Sequence, residues 1–105
     1  MSDALDRLFA TIAARKGADP ASSYTATLLA EGVEKCAKKF GEEATETVIA
    51  AISRDKTELA KESADVLYHL LVLWAASGIT PEEVYAVMRA REGRSGLEEK
   101  AARKA

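Results

Sequence analysis

GEEATETVIAAISRDKTELAKESADVLYH, residues 41–69, reads as the inner part of a helix–turn–helix. Residues three or four apart on a helix share a face, so Glu42, Glu43 and Glu46 cluster before the turn and Glu62, Asp65 and His69 after it. Ser53-Arg54-Asp55 forms the turn, and Asp55 with Glu58 resembles a capping box in which Asp replaces Ser or Thr. If the two helices run antiparallel, the clusters meet. Converging carboxylates repel one another without a cation, and oxygen-only ligands call for a hard divalent ion such as Mg²⁺.

Outward from this stretch, the periodicity predicts a helix over 33–54 and another over 56–77. The first carries Val33, Cys36, Ala37, Phe40, Ala44, Thr47, Val48 and Ala51 on one stripe, with Lys35, Lys39, Glu42, Glu43 and Glu46 in a polar band beside it. The second carries Leu59, Val66, Leu67, Leu70, Leu73 and Trp74 on its stripe and becomes apolar all round from Leu70 to Ala76, which calls for cover on both sides. Gly41, inside the first helix, either marks a close approach or is a tolerated defect costing about 1 kcal/mol relative to Ala.

The flanks complete an all-α bundle of four to five helices. A first helix over 4–16 is capped by Asp3 and stopped by Gly17; turn formers occupy 18–23; a short helix covers 25–30 and ends by Gly32. Gly78 closes the helix over 56–77. Thr80-Pro81-Glu82-Glu83 opens another with Thr80 as N-cap, Pro81 at the first position and Glu83 completing a capping box, and it fades near Arg91. Residues 92–105 contain one large apolar residue, Leu97, and are expected to be mobile unless a ligand or partner orders them.

The 105 residues, 48% hydrophobic and 30% charged, suit a single domain with a limited core, for which a second subunit is a common remedy. A net charge of -2 provides no overall attraction for nucleic acid or anionic membrane. The lone Cys36 forms no internal disulfide, the N-terminus has no secretory pattern, and the apolar run 66–76 is too short for a membrane span. A cytoplasmic protein is expected.

An isolated Glu-Glu-x-x-Glu is often only a solvated helix face. Here Glu42/Glu46 and Glu58/Glu62 are like-charged at i, i+4, which mildly destabilises a helix, and a second acidic cluster recurs across one turn. Both features favour a site. With one His and one Cys the chain lacks the Glu-x-x-His pairs of di-iron bundles and a usual zinc set, leaving Mg²⁺ or Mn²⁺. Lys35 and Lys39, on the same band, are placed to meet phosphate oxygens or are ordinary solvated lysines. His69, one turn after Asp65, either supports that carboxylate by a hydrogen bond or packs at the core edge.

The arrangement Glu42-Glu43-x-x-Glu46, spacer, Glu62-x-x-Asp65 resembles the metal motif of the MazG-like all-α nucleoside triphosphate pyrophosphohydrolases. The SYTATLL of 23–29, Gly32-Val33-Glu34-Lys35 leading to Lys39-x-Gly41-Glu42-Glu43-Ala44, the ESADVLYHLLVL of 62–73, and Arg94-Ser95-Gly96 with Glu99-Lys100 together resemble the phosphoribosyl-ATP pyrophosphohydrolases of histidine biosynthesis. The resemblance implies a Mg²⁺-dependent, all-α dimer that hydrolyses 1-(5-phosphoribosyl)-ATP to 1-(5-phosphoribosyl)-AMP and pyrophosphate. By matching position it implies Glu43, Glu46, Glu62 and Asp65 as metal ligands, with Glu42 an additional ligand or a base that orients water. It also implies Lys35 and Lys39 as phosphate-holding groups, and Ser23, Tyr24, Arg94, Ser95 and Lys100 as parts of a closure over substrate. Val33 stands where many relatives have Pro, which affects helix entry alone. The chain is too short to include the cyclohydrolase domain fused to many relatives. A housecleaning (d)NTP pyrophosphohydrolase shares the acidic motif without requiring the flanking segments, and a non-catalytic helical interaction module would require neither.

Overall fold

A computed structural model describes residues 3–93 and 96–104. All regular structure among them is helical: α1 (Asp3–Ala14), α2 (Tyr24–Glu31), α3 (Val33–Ile52), α4 (Lys56–Ser77), α5 (Pro81–Arg91) and α6 (Gly96–Lys104), with a 3-10 turn, Pro20–Ser22, before α2. The five expected helices are present. The sixth lies in the tail, where no secondary structure was expected; its Leu97 is 82% exposed, so apolar burial does not hold it.

The boundaries follow local chemistry. Asp3 opens α1 from within its first turn, rather than as the expected cap, and Gly17, at φ 83, ends the turn that follows the helix. Ser23 caps α2, accepting a hydrogen bond from the Ala26 N–H. Asp55 accepts from the Glu58 N–H and starts α4. At its other end Gly78 takes the left-handed conformation, at φ 77, and the Ile79 N–H donates back to the Trp74 carbonyl. Thr80 caps α5 through the Glu83 N–H, and its hydroxyl also donates to the Glu83 carboxylate.

α3 and α4 form the expected central hairpin. Thr47 of α3 meets Glu62 of α4, and Glu43 meets His69, so α4 runs back along α3. The turn between them is tight enough to hold Arg54 in the left-handed region, at φ 59. α1 and α2 pack on α4, and α2 also packs on α3, closing a small core of Ile12, Leu28, Cys36, Leu71, Val72 and Ala75. α5 adds Tyr85, whose hydroxyl donates to Asp6 of α1.

The buried face of α4 differs from the expected stripe. His69, Leu71, Val72 and Ala75 are buried, while Leu67 is exposed and Leu70, Leu73 and Trp74 are only partly covered. A helix that is apolar on every side has no periodicity to select its inner face; the packing of α1 and α2 selects it. On α3, Cys36 and Ala50 are buried, but Val33, Ala37, Val48 and Ala51 of the expected stripe are exposed. Val48, Ile49 and Ile52 are 56%, 55% and 75% exposed, because α4 covers only one side of this end of the hairpin. No single helix is long and apolar enough to cross a membrane among the described residues; α4 and α5 pass such a test only together, across a 110° bend.

Candidate metal centre

The hairpin brings the two acidic clusters together. One carboxylate oxygen each from Glu43, Glu62 and Asp65 lie within 4.8 Å of one another. Glu43 and Glu62 are partly buried and Asp65 is exposed, so the group opens to solvent on one side. Glu62 Oε2 is buried with no hydrogen-bond partner among the described residues. Partial burial, a side-chain hydrogen bond with Glu58 and the charges of Asp65, Glu43 and Glu46 all raise the Glu62 carboxyl above its ordinary value. An orphaned oxygen within a convergent oxygen set fits a hard divalent cation, which would take up the lone pairs and offset the repulsion.

Thr47 holds the register of this arrangement. Its hydroxyl lies 2.9 Å from the Glu43 carbonyl and 3.2 Å from the Glu62 carbonyl, a shared donation between the two turns that carry the carboxylates. Within the sequence Thr47 reads as one more member of an apolar stripe; the signal was a hydroxyl on an inward face directly after the acidic motif.

The other expected site residues separate into groups. Glu46 lies outside the convergent trio and is exposed, though its charge acts on Glu62. Glu42 is exposed, and its carboxylate lies 3.8 Å from Lys39 Nζ. Lys35 is exposed on α3, one turn before Lys39. Gly41 shows no close approach, since nothing of the described chain lies within 4 Å of where its Cβ would stand. Ser23 is engaged as the α2 cap, and Tyr24 beside it is exposed with its ring edge-on to His69 at 6.2 Å. Lys100 is exposed on α6, and Arg94 and Ser95 lie outside the described residues.

His69 turns toward the partner helix rather than toward Asp65. Its ring is buried, 6% exposed, with Nε2 4.0 Å from Glu43 Oε1 and Nδ1 lacking any hydrogen-bond partner among the described residues. Burial lowers its pKa; Glu43 opposes this, Lys39 adds to it, and Asp65 and Glu42 oppose it more weakly. Burial prevails, so the ring is neutral at pH 7 and carries one N–H.

Comparison with known proteins agrees with this geometry. The phosphoribosyl-ATP pyrophosphohydrolase family matches residues 5–92, a span that includes both clusters and α2. A phosphoribosyl-ATP pyrophosphatase of Parvibaculum lavamentivorans is 68% identical over 94% of this chain and 91% of its own length. One from Cereibacter sphaeroides is 64% identical over 94% and 96%, and one from Azospirillum brasilense is 59% identical over 95% and 90%. With an all-α hairpin that converges carboxylates, and a match over most of its length, the chain belongs to the phosphoribosyl-ATP pyrophosphohydrolase family.

Proposed function

We propose that the chain hydrolyses 1-(5-phosphoribosyl)-ATP to 1-(5-phosphoribosyl)-AMP and pyrophosphate, the second step of histidine biosynthesis. The observation that carries this reading is the convergence of Glu43, Glu62 and Asp65 in a chain whose relatives are phosphoribosyl-ATP pyrophosphatases.

Glu43, Glu62 and Asp65 would hold Mg²⁺, or Mn²⁺ in its place, with Glu46 as a fourth ligand from the next turn of α3. When bound, the cation supplies Lewis-acid polarisation of phosphate oxygens and neutralises charge on the departing pyrophosphate. Glu42, outside the trio and open to solvent, orients the attacking water toward the phosphorus next to the adenosine. Lys39 and Lys35 present positive charge along the approach to the carboxylates, where the triphosphate enters. Ser23 and Tyr24, at the start of α2, and Lys100, on α6, close over the substrate; Arg94 and Ser95, assigned the same role, lie outside the described residues. His69 stands behind Glu43 and supports it.

The working unit in this reading is a homodimer in the cytoplasm. Support comes from the bare apolar surface of Val48, Ile49 and Ile52 and from the radius of gyration, 15.7 Å, against about 13 Å for a compact chain of this length. The lone Cys36, buried and free, fits a reducing compartment.

The substrate assignment is tested by incubating the protein and Mg²⁺ with phosphoribosyl-ATP, dATP and dCTP and measuring pyrophosphate. Preference for phosphoribosyl-ATP is expected; preference for either deoxynucleotide contradicts the assignment.

A further inference from the structure

His69 is the only histidine in the chain, and its orientation depends entirely on what surrounds it. An imidazole can turn about its outer side-chain bond between two broad positions, and a buried ring has no water to correct a wrong choice. A neutral ring has one N–H to donate. Nε2 faces Glu43 at 4.0 Å, a close polar approach outside direct hydrogen-bond range, while Nδ1 has no partner among the described residues.

Two aromatic rings flank this imidazole, Tyr24 from α2 and Tyr68 from α4 itself. Tyr68 stands edge-on to His69, with ring centroids 4.9 Å apart and planes at 77°. Tyr24 approaches at 84°. Tyr68 is itself tied down: its hydroxyl is hydrogen-bonded to the Thr25 hydroxyl, a partly buried bond between residues 43 apart in the chain. Thr25 in turn sits in the first turn of a helix whose start is pinned by Ser23. The capped start of α2 thus reaches the carboxylate site in three contacts: Thr25 to Tyr68, Tyr68 to His69, and His69 to Glu43.

We propose that Thr25 and Tyr68 are positioning residues for the carboxylate site: their hydroxyl–hydroxyl bond fixes the Tyr68 ring, which with Tyr24 holds His69 with its Nε2–H toward Glu43. The metal-binding consequence rests on the assignment of Glu43 as a ligand. An oriented Glu43 presents its other lone pairs to the cation without first having to order itself, so loss of the Thr25–Tyr68 bond weakens cation binding although neither residue is a ligand.

The test uses the full chain without substrate, as wild type, Thr25→Val, Thr25→Ser, Tyr68→Phe and the Thr25→Val/Tyr68→Phe double variant. The ¹⁵N shifts of the single imidazole report its tautomer and orientation; Mn²⁺ alone, followed by electron paramagnetic resonance, reports cation affinity; thermal unfolding reports any loss of packing. Wild type is expected to show one tautomer protonated at Nε2. Thr25→Val and Tyr68→Phe should give a mixture of tautomers and an Mn²⁺ dissociation constant raised roughly threefold to tenfold, below the loss typical of direct partners of metal ligands. Thr25→Ser should retain the wild-type values, and the double variant should be no worse than either single one. An unchanged imidazole spectrum in Thr25→Val and Tyr68→Phe overturns the proposal, whatever happens to the melting temperature. Should Thr25→Val not fold, Tyr68→Phe, which removes one oxygen, decides alone. Absence of Mn²⁺ binding by wild type would contradict the carboxylate reading, and the imidazole spectra would still decide the relay.

Discussion

Glu62 shows how the site strains the fold that carries it. Its carboxyl is raised above the ordinary value by partial burial first, then by its hydrogen bond with Glu58 and the acidic neighbours. A raised acid contributes stability that is fully present below its unfolded pKa and is lost as pH rises through the folded one. A charge on Glu62 is therefore disfavoured in the metal-free protein. Glu62→Gln is expected to raise the melting temperature in EDTA at pH 7.5 and to have a smaller effect near pH 4, while abolishing the increase that Mg²⁺ gives wild type. Lower stability of the variant in EDTA at pH 7.5 contradicts this view of the carboxylates. The grouping of Glu43 with Glu62 and Asp65 was legible in the sequence because helical spacing sets which side chains share a face. The position of Glu46 outside the trio and the turn of His69 toward Glu43 were not, because both depend on how far α4 is rotated against α3.

At the scale of elements, the hairpin depends on its caps. Asp55 accepts the Glu58 N–H at 3.0 Å at the one turn that sets α4 against α3. Asp55→Ala is expected to cost about 0.5–2 kcal/mol, measured by urea unfolding, and to weaken Mg²⁺ activation because Glu62 lies two turns beyond the cap. A variant as stable as wild type would show that the Asp55 cap does not hold α4. Helix limits marked by Asp55, Gly78, Thr80 and Pro81 could be read from sequence because each residue has a specific terminal role. The inner face of α4 could not, since an all-round apolar segment satisfies several packings. α6 was not legible for another reason: Gly96–Lys104 is rich in helix-favouring Glu, Lys, Ala and Arg, but with so few apolar residues it carries no periodic stripe to mark a helix.

The whole molecule is a short chain with a six-residue buried cluster and apolar residues left bare on the far end of its hairpin. Val48, Ile49 and Ile52 form an α3 surface that a second copy would bury. Sedimentation should give twice the chain mass of 11.3 kDa, and Ile52→Asp should shift the protein toward monomer; a wild-type monomer at micromolar concentration contradicts the dimer. The exposure of Val48 was not legible in the sequence, because helical spacing placed it on the same stripe as Cys36. We propose that the carboxylates joined by the α3–α4 hairpin release pyrophosphate from phosphoribosyl-ATP. It is tested most directly by following that substrate with Mg²⁺ by ³¹P NMR, for wild type and for Glu43→Gln and Asp65→Asn with folding verified by circular dichroism. The expected result is pyrophosphate and phosphoribosyl-AMP from wild type, and kcat/KM reduced by about a hundredfold or more in both variants, the scale of losing one electrostatic group from a reaction centre. Turnover near the wild-type rate in either folded variant, or release of inorganic phosphate instead of pyrophosphate, would contradict it.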